Sequence, residues 1–195
     1  MARLPKSFVD AADFLGITPR RGSKGKAMSK TAIARGFDAV VQWLDDRGYE
    51  VDAYPGAVDQ VCFEEYCVHI NSNKGAESQL YTLLHEAGHV IIREDWSNFS
   101  RYYPRYLRDS SVSDGRRQRS RSHRVALVAE EYEAWRRGLQ LAWFLAIPVN
   151  AVRYDEESSR ALMSYITWTA VNAEKQRQAG QKAAATRKSR SRRGR

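Results

Sequence analysis

The chain has 195 residues, 43% of them hydrophobic, and a formal net charge of +9, which is enough apolar material for one core at the size of a single domain. Its longest apolar stretch, residues 141–149, holds nine residues where a membrane-spanning helix needs about 20, so no membrane segment is expected. Asp10 and Asp13 interrupt the region a secretory signal would keep apolar, and two cysteines, Cys62 and Cys67, do not make a disulfide framework. The expected compartment is the cytoplasm, with both thiols reduced and serving as small core residues.

Along the chain, residues 7–16 predict a short helix closed by glycine, and 18–30 a basic linker. Residues 31–48 regain helical periodicity through Ile33, Phe37, Val40, Val41 and Leu44 and stop at Gly48. Between 51 and 73, β-branched and aromatic residues bounded by Pro, Gly and Asn predict a small antiparallel sheet. A helix over 78–94 follows, its wide apolar face built from Leu80, Leu83, Leu84, Ala87, Val90 and Ile91. Periodicity is lost over 95–122, a Ser/Arg-rich excursion, and returns in helices at 123–147 and 158–173. Residues 174–195 carry almost no apolar side chains beyond alanine and are expected to be a disordered tail. The organisation expected is an N-terminal arm (1–30), an α+β domain (31–173) and the tail (174–195).

Within the 78–94 helix lies LLHEAGHVII, residues 83–92. Residues four apart on a helix share a face, about 6 Å apart along the axis, so His85 and His89 point the same way and can bind one zinc ion. Glu86 lies at the edge of that face, where its carboxylate can act as general base on a water whose pKa zinc lowers toward about 7. Gly88 carries a helix penalty of about 1 kcal/mol that a close backbone or substrate approach would offset. Half of the chain's four histidines fall in this pentapeptide, whereas His69 and His123 read as structural.

A catalytic zinc needs a third protein ligand. Asp95 stands six residues past His89, about 240° around an unbroken helix, and faces away; Ile92 occupies the position where a helix-breaking glycine would be required. A third histidine at that spacing is absent. A later helix, VALVAEEYEAWRRGLQLAW, offers Glu130, Glu131 and Glu133. The sequence TLLHEAGHVII, preceded by CVHINSNKG and followed by EEYEAW, resembles the compact gluzincin-type metallopeptidases of the ImmA/IrrE group and their phage-encoded relatives over roughly residues 58–147. The resemblance implies a small sheet packed on a zincin-type helix, a peptide or protein substrate, and a third zinc ligand at a glutamate followed by alanine, here Glu133 before Ala134. It implies for Glu130 the orienting of a histidine N–H, or the ligand role if Glu133 does not fill it. An oxyanion-stabilising side chain is also required, and Tyr102, Tyr103, Tyr132 and His123 are all available.

The positive charge sits at the ends: residues 174–195 hold nine basic residues against one acidic, residues 1–30 seven against two, and the stretch between is mildly acidic. Arg187, Lys188, Arg190, Arg192 and Arg193 could neutralise phosphates without sequence preference. No aromatic side chains interleave them to stack on bases. These arms motivate a second reading from another class: a non-catalytic nucleic-acid-binding or inhibitor protein that keeps a metallopeptidase-like fold.

Overall fold

A computed structural model describes residues 28–102 and 121–193. The expected helix at 7–16 and most of the 95–122 excursion lie outside these residues. The fold is α+β: helix α1 (Lys30–Asp45), strands β1 (Glu50–Tyr54), β2 (Gln60–Cys62) and β3 (Cys67–Asn71), then helices α2 (Ala76–Glu94), α3 (Trp96–Tyr102), α4 (Arg121–Phe144) and α5 (Ala151–Arg193).

Ser29 starts α1 by accepting the Ala32 amide on its hydroxyl, and Gly48, at φ 81°, turns the chain into β1. Ile33, Val40 and Leu44 are buried as their spacing predicts, and Trp43 joins them. The sheet has the order β1-β3-β2. It is mixed rather than wholly antiparallel, because β3 pairs antiparallel with β2 and parallel with β1. The chain reverses twice between β1 and β3, first at Pro55–Gly56 and again in the loop 63–66, so β3 returns in the direction of β1. Gly56 donates its amide to Asn71 Oδ1 and Ser72 donates to the Tyr54 carbonyl, which closes the first reversal against the end of β3. The central place falls to β3 because Val68 and Ile70 are its fully buried residues.

Helix α2 runs through the middle of the molecule, against α1 and the sheet on one side and α4 on the other. Leu80, Leu83, Leu84 and Ala87 are fully buried, each leucine worth about 1.5–3 kcal/mol on removal from water. At its N-terminal end the Tyr81 hydroxyl donates to Glu77 Oε1 at 2.7 Å and accepts the Asn150 amide at 3.0 Å, while Arg153 bonds the other Glu77 oxygen at 2.6 Å. That network fastens the start of α5 to α2.

Asn150 also receives the amides of Arg153 and Tyr154, which sets the start of α5 at Ala151, seven residues before the expected position. The same helix continues to Arg193, where the sequence predicts disorder. Alanine, lysine, arginine and glutamine are favourable helix residues and no proline interrupts them. No helix among the described residues is long and apolar enough to cross a membrane.

Candidate metal centre

The site is set by how closely α2 and α4 approach. A Cβ on Gly88 would lie 2.8 Å from the carbonyl carbon of Ala134 and closer still to its oxygen, and one on Gly138 would lie 2.7 Å from the carbonyl carbon of Leu84. Each glycine therefore admits the backbone of the other helix, which is the close approach expected at Gly88. Ala134, fully buried, completes the contact. One turn nearer the start of α4, the same face carries Glu130 and Glu131 to the two histidines of α2.

Three donor groups converge there: His85, His89 and Glu131 have ligand atoms all within 4.8 Å of one another. His85 Nε2 is 3.3 Å from His89 Nε2 and 3.3 Å from Glu131 Oε2, and His89 Nε2 is 3.7 Å from Glu131 Oε1. A tetrahedral ion with ligand distances of about 2.0–2.1 Å separates its ligand atoms by about 3.3–3.4 Å, so the spacing suits such an ion. Glu131 Oε2, Glu130 Oε2 and His85 Nδ1 are buried with no hydrogen-bond partner among the described residues. In the chain alone a proton between the two imidazoles meets this pair, a place that a cation can take, while the buried carboxylate oxygens still lack partners. The group can therefore hold a metal ion.

The protons follow the same logic. Burial by itself would lower His89, but the carboxylates of Glu130 and Glu131 outweigh it and hold the imidazole at about 10. Burial would raise Glu131, and the two imidazoles that face its carboxylate bring it down to about 2. Glu86, 4% exposed with Oε1 4.0 Å from His85 Nε2, is raised above the ordinary carboxylate range by burial, with the two histidines opposing and Glu131 and Asp59 adding to the rise.

Of the residues named from sequence, His85, Glu86, His89 and Glu130 are brought together. Glu130 Oε1 faces His89 Nδ1 at 3.6 Å, the place of a group that orients the imidazole. Glu133 does not join them, which corrects the expectation for the third ligand. Two residues beyond Glu131 it stands about 200° further around the helix, and its carboxylate is taken by Arg136 (2.7 Å to each oxygen) and by Arg137 Nε at 2.8 Å. Those three bonds hold it below the usual carboxylate range against the opposing effect of burial. Asp95 bonds Arg137 at 3.1 Å, away from the histidines as expected.

Two neighbours of the site escape the motif. Trp135 stacks on the His85 ring, centroids 4.5 Å apart at 22°, and fixes the imidazole plane. Tyr165 of α5 lies near Glu131, and its hydroxyl is raised first by burial and then by that carboxylate. It also lines a cavity of about 410 Å³ with Leu127, Ser164 and Trp168. No local pattern marks Tyr165, which reaches the site only through the packing of α5. Among the tyrosines named for the oxyanion, Tyr132 is 59% exposed; Tyr103 and the Tyr102 side chain lie outside the described residues, and His123 is half-buried in the first turn of α4. The backbone at 187, 188, 190, 192 and 193 belongs to α5. No family model matches the chain, and neither a curated protein nor a solved structure is found similar to it.

Proposed function

We propose that the chain is a zinc-dependent metallopeptidase of the gluzincin-like type, acting on a peptide or protein substrate. The observation that carries this reading is the meeting of His85, His89 and Glu131 at tetrahedral spacing with the buried carboxylate of Glu86 beside them. Once the ion displaces the proton that the carboxylates keep on His89, two neutral imidazoles and one carboxylate are a donor set that zinc accepts, with a position left for substrate or water. When bound, zinc would polarise the scissile carbonyl and favour ionisation of water near neutral pH. Glu86 takes the proton of the attacking water on its carboxylate and returns it to the leaving amine, so its protonation is unchanged over the cycle. Glu130 faces His89 Nδ1, Trp135 holds the plane of His85, and Tyr165 lies near Glu131 at the edge of the cavity, where a substrate side chain would lie.

The test is elemental analysis of the purified full-length chain alongside cleavage of a mixture of quenched fluorescent peptides. Wild type should carry stoichiometric zinc at this site and cleave, His85→Ala should lose that zinc, and Glu86→Gln should keep it while losing about 10²-fold or more in rate. Wild type without that zinc, or Glu86→Gln with full activity, overturns the reading. Should Glu86→Gln be silent while removal of residues 174–195 abolishes nucleic-acid binding, the non-catalytic reading replaces it.

A further inference from the structure

The two cysteines lie where alternation along the strands gathers a second set of metal-binding side chains. In the β2–β3 ladder Cys62 stands opposite Cys67, Val61 opposite Val68 and Gln60 opposite His69. Side chains alternate across a sheet and directly paired residues share a face. With Val61, Val68 and Ile70 packed in the core, Cys62, Cys67 and His69 belong together on the opposite face. Their ligand atoms all lie within 4.8 Å of one another, and Cys67 Sγ is 3.4 Å from His69 Nε2. A tetrahedral zinc ion with Zn–S of about 2.3 Å and Zn–N of about 2.0–2.1 Å separates sulfur from nitrogen by about 3.5 Å.

We infer that Cys62, Cys67 and His69 form a second metal site, for a thiophilic divalent ion such as zinc, on the outer face of the sheet. Two thiolates and an imidazole are a donor set that selects such ions over calcium or magnesium. The surroundings are matched to a cation. Glu50 and Asp52 of β1 stand beside Cys67 and His69 in the parallel register, and Glu65 Oε2 lies 3.8 Å from Cys67 Sγ. A disulfide between Cys62 and Cys67 would use the two sulfurs alone and leave the imidazole nitrogen facing a bonded sulfur among carboxylates. Glu65 is the carboxylate in contact with the thiol. The tight loop between the strands, with Tyr66 at φ 52°, brings the two sulfurs opposite one another, so a bound ion would pin the hairpin that underlies α2.

The site stands apart from the histidines of α2, and a cobalt(II) titration of the reduced full-length protein separates the two. Wild type, with both thiols confirmed by chemical titration, should develop a near-ultraviolet thiolate-to-cobalt charge-transfer band that saturates at one equivalent for this site. His85→Ala should keep the band in full; Cys62→Ser and Cys67→Ser should each lose it. Because Cys67 is buried and its substitution could unfold the sheet, the half-buried Cys62 carries the test if circular dichroism shows Cys67→Ser to be disordered. No band from the reduced wild type, whether or not the isolated protein holds a Cys62–Cys67 disulfide, overturns the proposal, as does a band that survives Cys62→Ser.

Discussion

The two sides of α4 are written in nearly the same letters. Toward the histidines of α2 it presents Glu130, Glu131, Ala134 and Gly138; turned from them stand Glu133 and Arg136, with Arg137 at the border between the two. On the outer side every carboxylate oxygen has a guanidinium partner at 2.7–2.8 Å, and Arg137 reaches on to Asp95 and to the Ile91 carbonyl at the end of α2. On the inner side Glu130 Oε2 and Glu131 Oε2 are buried and make no hydrogen bond among the described residues. A carboxylate already saturated with N–H donors is a clamp, whereas one held beside imidazole nitrogens with a lone pair to spare is available to an ion. Two positions along one helix separate these roles.

The inner side depends on the helices touching, so the largest effect should come from forcing them apart. Gly88→Ala places a methyl group against the backbone of Ala134, where no rotamer change relieves the clash. Overpacking of this kind costs about 3 kcal/mol, which for a chain of this size lowers the melting temperature by roughly 10 °C. Thermal unfolding followed by circular dichroism measures it, and zinc affinity should fall with it because Glu131 retreats from the histidines. A melting temperature unchanged from wild type would mean that the close approach of α2 and α4 is not how the site is assembled.

The next effect isolates the ligand from its supports. Glu131→Gln keeps the shape and removes the charge; competition with a chromophoric chelator should show zinc affinity reduced by more than the 10–100-fold typical of groups outside the ligand set. Glu130→Gln, which disturbs only the orientation of His89, should fall inside that 10–100-fold range. If Glu130→Gln costs more than Glu131→Gln, the roles of the two carboxylates are exchanged.

Much of this arrangement was readable from residue patterns. The spacing of His85 and His89 requires only helical geometry, and the apolar repeats of α1 and α2 locate the core because each stripe is wide and uninterrupted. The close approach at Gly88 was legible because a glycine inside a strong helix asks for a reason. The third member of the group that could hold an ion was not so legible: three glutamates within four positions differ only in azimuth, and azimuth has meaning only once the partner helix is placed. The resemblance to a glutamate-alanine pattern selected Glu133, but Arg136 and Arg137, at i+3 and i+4 from it, are the local signal that it already has partners. The parallel pairing of β1 with β3 was hidden for a related reason, since each reversal is local and their combined effect on strand direction is not. Tyr165 and Trp135 reach the site through packing alone.

Glu133→Ala gives the smallest effect and the sharpest contrast. Arg137 loses one acceptor but keeps Asp95 and the Ile91 carbonyl, and Arg136, about a third exposed, can turn to water. With Glu133 only 18% and Arg137 13% exposed, the lost charge-assisted bonds should cost about 1.5 kcal/mol, still below Gly88→Ala, and chemical denaturation should register that loss. Zinc affinity should stay within about twofold of wild type, since the α2 backbone remains held by Arg137 and the inner carboxylates are untouched. The contrast with Glu131→Gln matters more than either value alone. Equal loss of zinc in both variants would mean that the outer clamp sets the position of the inner donors, and that the two faces of α4 act as one unit.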